Sequence, residues 1–162
     1  MTNGNARGCT IKIKNVNLTR EIIHQIGKFA VLWNVFEDEK CDNNCNNYKL
    51  QKIAESVTSI NPITLENFAR ALQGRVDILS NGIEEYVEYV LIPSDAHGRN
   101  SKHAVEIKRF IESNGQESLA GGLMAIYRIR NNMFHGLKEL SSLDGQIELF
   151  KAMNKMLEEI VR

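Results

Sequence analysis

From Arg20 to the last residue, apolar side chains recur every three or four positions, and only Pro62 and Pro93 supply prolines anywhere in the chain. That spacing brings successive side chains back to one side of an α-helix, whereas a half-buried strand alternates at every second residue. A chain patterned this way buries its apolar faces by packing helix on helix. The expected fold is therefore all-α: an antiparallel helical bundle of about six helices.

The individual helices follow from the same spacing. Ile22, Ile26, Phe29, Trp33 and Phe36 give a first helix from Arg20 to Phe36, capped by Thr19. Leu50, Ile53, Ala54 and Val57 give a second, from Tyr48 to Ser59, broken at Asn61-Pro62. Thr64 is the expected cap of a third, reaching Leu79. A short helix covers Ile83 to Leu91, and another follows Asn100 or Ser101 to Ser113 with Val105, Phe110 and Ile111 inward. Gln116 to His135 forms one more, and Asp144 opens the last, with Ile147, Phe150, Met153, Leu157 and Ile160 on one face. Met124, Met133, Met153 and Met156 are expected core residues.

Residues 1–18 are expected to be a flexible or extended arm and residues 19–162 a single helical domain. Ile11 to Val16 alternates like a strand, but no second strand is read after it, so an arm lying on the bundle is favoured.

Twenty basic and twenty acidic residues cancel, so no global field draws in a polyanion. Any nucleic-acid contact has to come from a local patch. No run of eighteen apolar residues occurs, and Met1 to Cys9 is polar without the apolar stretch of a secretory leader. Cys9, Cys41 and Cys45 make an odd count, which fits a reducing cytoplasm. Cys41 and Cys45 lack a second ligand pair at zinc spacing and are expected to be surface thiols in the loop Glu37 to Asn47.

The chemistry concentrates in Ile126 to Gly136, which reads I-Y-R-I-R-N-N-M-F-H-G. On a helical plot, Leu119, Leu123, Ile126, Met133 and Phe134 form one apolar stripe with Arg130 in its middle. A guanidinium stays charged and an unpaired buried charge is costly, so Arg130 either pairs with a carboxylate or lines a cleft. Asn131 and His135 are one turn apart, and Arg128 extends their polar stripe. Imidazole moves protons near neutral pH, and a guanidinium fork matches a phosphate. Gly136 is a natural helix stop.

Arg130-Asn131-Asn132-Met133-Phe134-His135, an arginine followed by a polar residue and then by a histidine at the end of a long helix, resembles the signature of the HEPN superfamily. Arg128 to His135 also fits, with six residues between. The resemblance spans about the last 140 residues, since one further amphipathic helix follows the motif. It implies a metal-independent endoribonuclease with no cofactor, in which Arg130, Asn131 and His135 are catalytic and Arg128 and Asn132 contact substrate. It also implies a homodimer whose two motifs face each other in a composite site, and a toxin or antiviral defence role. Some members of the superfamily bind or scaffold without cutting. Others pair with a minimal nucleotidyltransferase antitoxin, so a cognate antitoxin and a nucleotide-binding role are alternatives, as is a non-catalytic dimerisation or RNA-binding module.

A second cluster, His97, Arg99, Lys102 and His103, lies in the polar connection after Pro93. Charge runs usually just face solvent. The functional alternative is a grip on the RNA backbone, helped by the amides that open the next helix.

Overall fold

The computed structural model describes residues 10–13, 15–92, 102–133, 143 and 145–162. Among these, the chain order is β1 (Thr10–Ile13), β2 (Val16–Thr19), α1 (Arg20–Cys41), α2 (Asn47–Ser56), α3 (Pro62–Leu79), α4 (Ile83–Glu85), a π-helical turn (Tyr86–Leu91), α5 (Lys102–Glu112), α6 (Leu119–Asn132) and α7 (Ile147–Val161). The architecture is an all-α bundle with one small hairpin attached, and none of its described helices is long and apolar enough to cross a membrane.

The helix starts follow side-chain capping. Thr19 Oγ1 accepts from the Ile22 amide at 3.2 Å, and Asn46 Oδ1 from the Lys49 amide at 2.9 Å. Asn61, rather than Thr64, caps α3: its Oδ1 accepts from the Ile63 amide at 2.9 Å. Pro62 sits at the first helical position, where its missing N–H costs nothing, so the helix starts three residues early and buries Thr64. α6 begins at Leu119 rather than Gln116, because Asn114, Gly115 and Ser118 all take positive φ before it.

Two expectations are corrected outright. Residues 10–19 are a hairpin, not an unpaired arm: β1 and β2 are antiparallel, with Ile13 opposite Val16. Asn15 makes the tight turn possible at φ 66°, in the left-handed region that asparagine tolerates. Cys41 and Cys45 are not surface thiols but a disulfide, with both side chains buried. α1 runs a full turn past Phe36 and places Cys41 in the core, and Asp42 and Asn43 then reverse the chain at positive φ. Residues 1–9 of the expected arm fall outside the described residues, and Thr10 opens β1.

The core is continuous from α1 through α7. Phe29 meets Phe150 edge-on with ring centroids 5.7 Å apart, and Trp33 stacks on Tyr127 at 6.2 Å. Within α5, Ala104 and Ile107 are buried with Phe110 and Ile111, while Val105 stays 49% exposed. Antiparallel packing holds for α3 with α7 and for the α5/α6 hairpin. α1 and α7 run parallel instead, since Glu21 meets Lys151, Gln25 meets Asn154 and Lys28 meets Glu158. No short loop joins these two helices, so nothing forces them to alternate.

α6 is the central element. Every residue from Ala120 to Ile126 is buried, as is Ile129. Gly121 and Gly122 permit this. A Cβ on Gly121 would collide with the Glu106 carbonyl, and one on Gly122 would lie 2.9 Å from Phe110 Cε2. α5 and α6 are therefore in near backbone contact at this crossing, and Ser118 ties its cap to the Glu106 carboxylate.

Candidate active site

α6 is sealed over most of its length and emerges only in its last turn, where Tyr127, Arg128, Arg130, Asn131 and Asn132 are partly exposed. Its final residues therefore combine a rigid anchor with access to solvent.

Arg130 Nη1 donates to Asn131 Oδ1 at 3.2 Å. The contact fixes a guanidinium edge against the neighbouring amide. Arg130 also lines a cavity of about 170 Å³ with Phe29, Ala30, Trp33, Asn34 and Met133. The cation lines this cleft where α6 emerges beside the aromatic face of α1.

Asn132 is used differently. Its Nδ2 donates to the Leu91 carbonyl at 3.0 Å. That carbonyl ends the π-helical turn, in which Ile92 N reaches back five residues to Val87 O at 3.1 Å. The wider π step re-aims the end of the segment toward α6. Asn132 thus pins together the ends of two elements, and its amide nitrogen is already committed to the fold. It borders a second cavity, of about 290 Å³, with Arg75, Tyr86, Leu91, Met133 and Leu149.

Arg128 lies on the helix side shared with Asn131 and Asn132, partly buried. Lys102 is exposed and His103 partly buried at the start of α5. The Gly121–Glu106 crossing sets α5 antiparallel to α6, so this pair lies beside the middle of α6 rather than its end. His97, Arg99 and His135 lie outside the described residues. The structure thus brings together Arg130, Asn131 and Asn132 of the expected set.

Sequence reasoning missed a third cavity, of about 550 Å³, between α3 and α7. Arg70, Arg75, Lys151 and Lys155 line it, with Glu148 as the one carboxylate among the described residues. Lys151 bonds Glu21 at 2.7 Å and lies 3.8 Å from Glu148. The Glu21 hydrogen bond raises the Lys151 pKa above the ordinary lysine value, outweighing the opposing effect of partial desolvation. The available signal was two pairs of cations, four or five residues apart on two amphipathic helices, flanking the mid-helix Gly74.

The sequence matches no family model, and no curated protein or solved structure matches it either. The functional reading therefore rests on the residues themselves.

Proposed function

We propose that the chain is a metal-independent endoribonuclease of HEPN type, with Arg130, Asn131 and His135 as its catalytic residues. The observation that carries this reading is the Arg130–Asn131 hydrogen bond at the mouth of a cavity, on the last turn of a buried helix. His135 lies two residues past Met133, the last described residue of that segment.

In this reading a neutral His135 imidazole removes the proton from a ribose 2′-hydroxyl. The 2′-oxygen attacks the adjacent phosphorus, and the 5′-oxygen leaves with a proton from a second, protonated imidazole. The products are a 2′,3′-cyclic phosphate and a 5′-hydroxyl. Negative charge grows on the non-bridging oxygens, and the Arg130 fork stabilises it. Asn131 holds that fork in place, which is preorganisation: the donor need not reorient as charge develops.

One histidine per motif cannot be base and acid at the same instant. A two-fold homodimer solves this by facing two copies of the motif, each chain supplying one imidazole. A toxin or defence role, and an inhibitor that silences it, fit an enzyme that cuts RNA without a dissociable metal.

The Asn132–Leu91 bond favours a second reading, in which the motif is a structural junction in a non-catalytic helical module. Incubation with total RNA in EDTA separates the two. The nuclease yields cyclic-phosphate ends, and His135→Ala abolishes them with the thermal melt unchanged. Wild-type protein that leaves RNA intact at every concentration overturns the nuclease.

A further inference from the structure

The three cavities share lining residues. Met133 lines both the Arg130 cavity and the Asn132 cavity, and Arg75 with Leu149 lines both the Asn132 cavity and the groove between α3 and α7. Arg75 therefore borders both the largest of the three and the Asn132 cavity at the end of α6.

The described lining of the groove is predominantly basic. Four cations line it against one carboxylate. Two are engaged: Arg70 pairs with Glu66, and Lys151 with Glu21 and Glu148. Among the described residues, Arg75 and Lys155 have no ion-pair partner. They sit on opposite walls, one on α3 and one on α7.

Gly74 adds a second, independent observation. Glycine inside a helix costs roughly 0.5–1 kcal/mol relative to alanine. At Gly121 and Gly122 a close helix crossing explains the residue, but a Cβ on Gly74 would meet nothing within 4 Å. The same holds at Gly27 in α1, so Gly74 marks an open stretch of the groove wall on α3. Ile78 stands 71% exposed on the same groove and offers an apolar surface to a base.

We propose that the groove between α3 and α7 binds the phosphodiester backbone of single-stranded RNA and leads it past Arg75 to the end of α6. The inference rests on the nuclease reading for its choice of RNA, but its test does not require cleavage. Arg75 and Lys155 each neutralise a phosphate, Gly74 lets the backbone approach α3, and Ile78 packs against a base. Backbone binding of this kind carries little sequence preference and weakens steeply with salt.

The probe is a fluorescent 2′-O-methyl oligoribonucleotide of roughly twelve nucleotides, which lacks the attacking hydroxyl and so reports binding alone. Anisotropy titrations compare the full-length protein with Arg75→Gln/Lys155→Gln, with Gly74→Leu, and with Lys52→Glu. The last changes net charge by the same amount on α2, away from the groove. We expect the double variant to bind at least tenfold more weakly at low salt. Its slope of log affinity against log salt should fall by about 1.4, the loss of two phosphate contacts on a single strand. Gly74→Leu should also weaken binding, and Lys52→Glu should match wild type.

Unchanged affinity and slope in the double variant would overturn the groove, even if the protein cuts RNA. So would wild-type protein that does not bind the probe, or that binds poly-glutamate as tightly. Binding lost only in the groove variants, with no cleavage by wild type, would uphold the groove and sink the nuclease. Thermal melts of each variant separate lost contacts from lost folding, and if Gly74→Leu melts early the double variant decides alone.

Discussion

Asn154, on the core side of α7, donates through Nδ2 to both the backbone carbonyl and the side-chain oxygen of Gln25 on α1, at 3.0 and 2.9 Å. The residue is 2% exposed, and its Oδ1 has no partner. Two parallel helices are thus joined by a buried polar clamp that lies between the ion pairs Glu21–Lys151 and Lys28–Glu158. Asn154→Ala removes both bonds and leaves a small void, so we expect a loss of about 1–3 kcal/mol by urea denaturation. A loss below the error of the measurement would mean that water already serves Gln25.

Two glycines should respond to alanine in opposite directions. Gly121→Ala drives a Cβ into the Glu106 backbone and forces α5 and α6 apart. It should cost about 3 kcal/mol or more. Gly74→Ala adds a methyl group in open space on a helix and should stabilise by roughly 0.5–1 kcal/mol. Chemical denaturation of both variants checks the pair, and two losses of similar size would contradict the open surface at Gly74.

The Cys41–Cys45 bond closes a short loop, with a sequence separation of 4. Chain-entropy reasoning gives a loop of that length about 2 kcal/mol of stabilisation. Dithiothreitol should therefore lower the urea midpoint of wild type and leave Cys41→Ser/Cys45→Ser unmoved. Mass spectrometry after alkylation, with and without reductant, reports directly whether these two thiols are bonded.

In the proposed nuclease, Arg130 would act through its planar fork. Lysine keeps the charge but loses the paired donors and the contact to Asn131. Arg130→Lys should lower kcat by roughly 10²–10³, with KM nearly constant, as for loss of a donor that acts chiefly in the transition state. Asn131→Ala should lower kcat less, because the guanidinium is present but loosely held. If KM rises and kcat holds, Arg130 is a binding residue only.

Where helical spacing and capping chemistry agree, the structure was legible in the residues. Ile22, Phe29, Trp33 and Phe36 are buried as their period requires, and Thr19 caps the helix they define. Failures occur where a long-range contact decides. Val105 fits an apolar period, yet the α5/α6 crossing turns Ala104 and Ile107 inward instead. Val16 to Thr19 is too short to signal a strand alone, and becomes one only because Asn15 folds Thr10 to Ile13 against it. Cys41 and Cys45 read as loop thiols because the extra turn of α1 that buries the first of them carries Glu37, Asp38, Glu39 and Lys40. Their pairing also runs against the reducing compartment expected from three unpaired cysteines.

The candidate site was legible in part. Arg130 and Asn131 lie side by side at an emerging helix end, as the motif suggests. Asn132 has an architectural bond that no local pattern encodes, since its acceptor Leu91 is 41 residues earlier. Arg75 and Lys155 escaped notice because cations eighty residues apart carry no joint signal until α3 and α7 are packed together.

Because α6 is walled in by its neighbours along seven consecutive residues, Arg130 and Asn131 inherit their positions from the least yielding part of the molecule. The amides of Ile126 and Ile129 should be among the slowest to exchange with deuterated water, opening only when the whole bundle unfolds. A methyl-sized insult near Gly121, two helical turns or more from Arg130, would then reach the guanidinium as a tilt of its supporting rod.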